Sequence, residues 1–116
     1  MVAAFRGRRG VLLASLAISA FAVACAGKLP PPATPADVQW AQAQWPTVAA
    51  GAAGELEAGR QVLLGKCVDC HRAPLPEEYS SQAWPGYITE MAPRAKLTAE
   101  DRNVLEKYVL TLSRKP

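Results

Sequence analysis

Residues 67–71 read Cys67-Val68-Asp69-Cys70-His71, and the 116-residue chain holds no other histidine. Two thiols and an imidazole therefore fall within little more than one helical turn. An i, i+3 spacing sets both sulfurs on one side, and the next residue places an imidazole beside them. This is the spacing by which haem is bonded to a polypeptide, the thiols adding to two vinyl groups and the histidine binding the iron. The feature constrains the fold because the compact segment around it is short. Some sixty residues make a marginal core, and a buried haem would supply the apolar surface on which short helices pack.

Two other uses of a CxxC pair are open in principle. A zinc site needs further ligands, yet only Cys25 and no second histidine remain. A redox dithiol belongs in a βαβ context, and no alternation of strand and helix patterns is visible.

The start of the chain reads as an export signal. Arg6, Arg8 and Arg9 precede an apolar run from Val11 to Ala24 that ends in small residues. The run is short for a permanent span, with an uncleaved anchor as the alternative. Phe21-Ala22-Val23-Ala24-Cys25 resembles a bacterial lipobox, so Cys25 is expected to carry lipid and to begin the mature chain. Each buried acyl methylene contributes roughly 0.8 kcal/mol, so several chains hold a protein on a membrane. The simpler reading is a cysteine that ends an apolar run as a small hydrophobe. Arg8-Arg9 also resembles a twin-arginine signal, a route for folded cargo, whereas haem attachment needs an unfolded exported chain.

Charge narrows the partners. Of thirteen basic residues, three lie in the signal, leaving ten against ten acidic residues that all follow Cys25. The mature chain is formally neutral and has no basic stripe, so nucleic acid is not an expected partner.

Three regions are expected: a signal over 1–24; a lipid-anchor cysteine, Pro/Ala-rich tether and short helix over 25–53; and a compact domain over 54–116. Pro30-Pro31-Pro32 and Pro35 read as a semi-rigid spacer. Thr34-Pro35-Ala36-Asp37 looks like a helix start, with a Thr cap, Pro at the first position and Asp three residues on. That helix should run to about Trp45, with Trp40 and Trp45 packing on the domain or binding a partner, and residues 46–54 should be flexible. Leu56, Gly59, Leu63, Cys67 and Cys70 trace one helical face. A helix from near Ser80 or Ser81 carries Trp84, Ile88 and Met91 on one face, with Pro85 in its first turn. A last helix from Thr98, with Asp101 as capping partner, has the stripe Val104, Leu105, Tyr108, Val109 and Leu112. Arg114 and Lys115 suit its negative end.

On these residues the stretch from Gly54 to Ser113 resembles the small class I bacterial cytochromes c, of lipoprotein type. The likeness rests on Gly59 eight residues before Cys67, the Cys67–His71 motif, Met91-Ala92-Pro93 and the terminal helix with Tyr108. It departs from the family at Leu63, where an aromatic residue is common. The resemblance implies an all-α, cytochrome c-like fold, three main short helices packed around one covalent haem c. It implies thioethers from Cys67 and Cys70, His71 and Met91 as axial iron ligands, and Gly59 packed against Tyr108. A space-filling Met91, Lys96 as substitute ligand, and an open sixth position are the alternatives. The His71 ring is expected to donate to a proline carbonyl, Pro74 before Pro76. Trp84 and Tyr87 are candidates to bond a propionate or simply to pack, and Arg94 and Lys96 to pair with one or stay solvated.

The expected function is single-electron carriage between membrane-associated redox partners outside the cytoplasm. The protein is then no enzyme, has no small-molecule substrate, and sits lipid-anchored on the periplasmic side. A haem enzyme or gas sensor with a vacant sixth site is the alternative. It lacks a spare histidine to act at that site.

Overall fold

A computed structural model describes residues 27–68 and 71–114. Cys25, Asp69, Cys70 and Lys115, and with them the signal and lipobox expectations, lie outside the described residues. Within them the chain is all-helical: α1 Pro35–Gln44, α2 Ala52–Lys66, α3 Trp84–Met91 and α4 Ala99–Ser113, with 3₁₀ turns at Pro46–Gly51 and Pro76–Glu78. No strand occurs among the described residues, and no helix there is long and apolar enough to cross a membrane.

Helix starts follow from local chemistry. Thr34 accepts from the Asp37 N–H while Asp37 accepts from the Thr34 N–H, closing a capping box before Pro35. Thr98 and Asp101 repeat it at α4. Helix α3 begins at Trp84, later than Ser80, because residues 80–83 form a turn in which the Ser80 hydroxyl accepts from the Ala83 N–H. Residues 46–51 are a 3₁₀ turn and not a flexible stretch, and α2 starts before Gly54. The turns that follow α3 close with the Leu97 N–H on the Ala92 carbonyl, and Lys96 takes the left-handed conformation there, φ 52°.

The core forms where α2 crosses α4. Leu56, Gly59 and Leu63 on α2 meet Val104, Leu105, Tyr108, Val109 and Leu112 on α4, all buried. Gly59 is the point of closest approach. A Cβ there would lie 2.1 Å from the Val104 carbonyl oxygen and 2.6 Å from the Tyr108 Cβ, so only glycine lets the backbones meet. Two ion pairs flank the crossing: Lys107 with Glu55, and Lys66 with Asp101 at 2.5 Å.

The N-terminal segment is not a spacer standing off this body. Pro30 is fully buried, the Arg60 Nε–H donates to the Pro30 carbonyl at 2.8 Å, and the Tyr108 hydroxyl donates to the Pro31 carbonyl at 2.6 Å. Proline lacks an N–H, so the segment brings only carbonyls to the surface it covers, and both of these find donors. Helix α1 continues the packing on α2 and α4. Its Asp37, 0% exposed, pairs with Arg114 at 2.9 Å, and the Arg114 guanidinium lies over Trp40, itself edge-on to Trp45. Arg114 thus has a specific partner beyond the helix dipole, and residues 30–44 belong to the same packed body as α2–α4.

Candidate functional site

A cleft of about 300 Å³ opens between the α2–α4 pair and α3. Leu63 and Cys67 from α2 and its C-terminal cap, with Leu105 from α4, form one wall. Trp84, Tyr87, Ile88 and Met91 of α3 form another, at the 3- and 4-residue spacing that turns these positions to one face. His71, Arg72, Pro74, Glu78 and Tyr79 come from the connecting loop, and Leu97 closes the end. The lining is mostly apolar with a few polar groups converging on it, the pattern of a small-molecule or cofactor site.

Of the sequence-derived site residues, Cys67, His71 and Met91 all line this cleft. Cys67 is buried, and desolvation pushes its thiol up from the ordinary value. His71 is exposed, while Met91 is half-buried. Lys96 and Arg94 lie outside the lining. Arg94 faces Glu90 at 3.9 Å, and Lys96 is exposed.

Two expected contacts fall elsewhere. His71 Nδ1 lies 2.6 Å from the carbonyl of Arg72, not from Pro74. A carbonyl only accepts, so Nδ1–H is the donor of this bond and Nε2 is the ring nitrogen it leaves unengaged. Trp84 Nε1–H donates to the Pro76 carbonyl at 3.0 Å with its ring buried, so its polar handle is spent on the loop and the ring packs. Tyr87 remains exposed at the mouth, tilted against Tyr79 at 4.2 Å between ring centres, and Tyr79 is edge-on to Trp84.

The loop residues Arg72, Glu78 and Tyr79 were not singled out by sequence. The Arg72 guanidinium grips the Glu78 carboxylate with two N–H donors, at 2.6 and 2.9 Å, and the Leu75 N–H donates to Glu78 at 3.0 Å. The hydrogen bonds from Arg72, then that from the Leu75 N–H, and then the Arg72 charge lower the Glu78 carboxyl from its ordinary value. The only signal in the sequence is a pair of opposite charges six residues apart across a Pro-rich turn.

These donors fit a haem. A thiol, an imidazole and a thioether, brought from the end of α2, the following loop and α3, line one largely apolar cleft. Comparison with known proteins finds no matching family model, no matching characterised relative and no matching solved structure.

Proposed function

We propose that this chain is a monohaem c-type cytochrome that carries single electrons between membrane-associated redox partners outside the cytoplasm. One observation supports it above the others. The CxxCH motif, through Cys67 and His71, opens on an apolar cleft whose opposing helix supplies Met91. Bound haem supplies a one-electron iron couple in this reading. Cys67 and Cys70 would hold the ring by thioether bonds, which keep the cofactor on the exported chain. His71 orients its Nε2 by committing Nδ1 to the Arg72 carbonyl. Met91 offers a soft sulfur that favours the ferrous state. Leu63, Ile88, Leu97 and Leu105 line the slot and would pack against the ring. With His71 and Met91 both committed to the iron, the site would offer one-electron exchange and would keep no position for substrate. The lipid on Cys25 would keep the carrier at the membrane.

A pyridine haemochrome assay with an optical spectrum of both redox states tests the reading. The expected result is one covalent haem per chain and low-spin ferric iron with a weak far-red sulfur-to-iron band. Mature protein without covalent haem overturns it, and high-spin iron that readily binds carbon monoxide replaces the carrier with the open-site alternative.

A further inference from the structure

Residues 71–75 between Cys70 and the 3₁₀ turn have no regular backbone structure, yet the His71 acceptor carbonyl sits in this stretch. We propose that Arg72 and Glu78 are positioning residues that hold this carbonyl against His71 Nδ1 and thereby set the electron density on the iron-binding nitrogen. The proposal rests on the functional reading above, in which His71 is an iron ligand.

The Arg72 side chain is gripped at Nη1 and Nη2 by Glu78, and Nη1 also reaches the Ala73 carbonyl at 3.4 Å. Glu78 is anchored in turn, accepting from the Leu75 N–H and sitting in the 3₁₀ turn whose Pro76 carbonyl receives Trp84 Nε1–H. Fixing the Arg72 side chain at its far end restricts rotation of its own peptide, which carries the oxygen that His71 contacts. A fork-to-carboxylate pair carries directional information that a point charge does not. The pair contributes little to fold stability, because the Arg72 side chain is 70% exposed and surface ion pairs are weak. Its geometry is therefore free to serve the neighbouring imidazole. A firmer Nδ1–H···O bond makes the imidazole a stronger donor, favours ferric iron and lowers the potential.

The test uses haem-loaded wild type, Glu78→Gln and Arg72→Gln, with Arg72→Lys as the variant that keeps charge and loses the fork. In the diamagnetic ferrous state, NMR reads the hydrogen-exchange rate of the His71 Nδ1–H, and potentiometry reads the midpoint. All three variants are expected to exchange at least tenfold faster and to shift the midpoint upward, with unchanged haem content and circular dichroism. A bare charge effect moves the midpoint in opposite directions for Glu78→Gln and Arg72→Gln and leaves exchange unchanged, and that result overturns the proposal. Wild-type exchange rates in all three variants overturn it too. Wild type without covalent haem overturns instead the functional reading on which the proposal stands.

Discussion

At the residue scale, Gly59 and Met91 carry separable burdens. Gly59→Ala would drive a methyl into the Val104 carbonyl and the Tyr108 Cβ, so the two helices must part. Overpacking of this kind costs about 1–3 kcal/mol, and urea unfolding should show a loss near the upper end with haem content retained. On the haem reading, Met91→Ala should keep the haem attached, because Cys67 and Cys70 would hold it, while the midpoint falls by on the order of 0.1 V within the ~0.8 V that axial ligands span. An unchanged potential in a redox titration would exclude Met91 as a ligand. Lys96 has the opposite character. It holds a left-handed backbone that glycine adopts without strain, so Lys96→Gly should stabilise by up to about 1 kcal/mol in thermal melts. Glycine's sites of use and of absence are both set by backbone approach and φ. Sequence suggested the first through a glycine on a buried face and gave no sign of the second.

At the element scale, α4 is the member on which the others depend. It crosses α2, backs α3, and receives α1 and the proline segment. Its N-terminus is tied by Asp101, which caps the helix and pairs with Lys66 of α2. The Lys66 ammonium and the Thr98 backbone and hydroxyl lower this carboxyl from 3.8 to about 2. The folded form thus holds Asp101 ionised more strongly than the unfolded chain does. That stabilisation is fully present above pH 3.8 and is lost as pH falls toward about 2. Asp101→Asn should flatten the acid limb of a stability-versus-pH curve in this window. The proline segment depends on Tyr108, whose hydroxyl burial keeps neutral well above its ordinary pKa and therefore always a donor. Tyr108→Phe should cost about 1 kcal/mol by leaving the Pro31 carbonyl without its partner, and limited proteolysis should cut sooner near residues 28–34.

At the scale of the whole molecule, α2, α3 and α4, with the loop that joins α2 to α3, line a cleft that no helix pair could form alone. The walls of the cleft are mostly apolar, so on the haem reading the chain without haem should hold less helix. Cys67→Ala/Cys70→Ala protein should show reduced helicity and a broad melt by circular dichroism, and a cooperative, fully helical melt would contradict that. The helices, both capping boxes and the α4 stripe were legible in the sequence, because caps and periodicity act over three or four residues. The docking of the proline segment, the Asp37–Arg114 and Lys107–Glu55 pairs, the Trp84 bond to Pro76 and the turn of His71 toward Arg72 were not legible in it. The Asp37–Arg114 and Lys107–Glu55 pairs and the docked prolines join residues tens of positions apart, and each of these contacts depends on which carbonyl or charge the packed helices bring within reach. Local hydrogen bonding and side-chain period are properties of the sequence itself; the partner of a buried polar group exists only once the chain has closed around it.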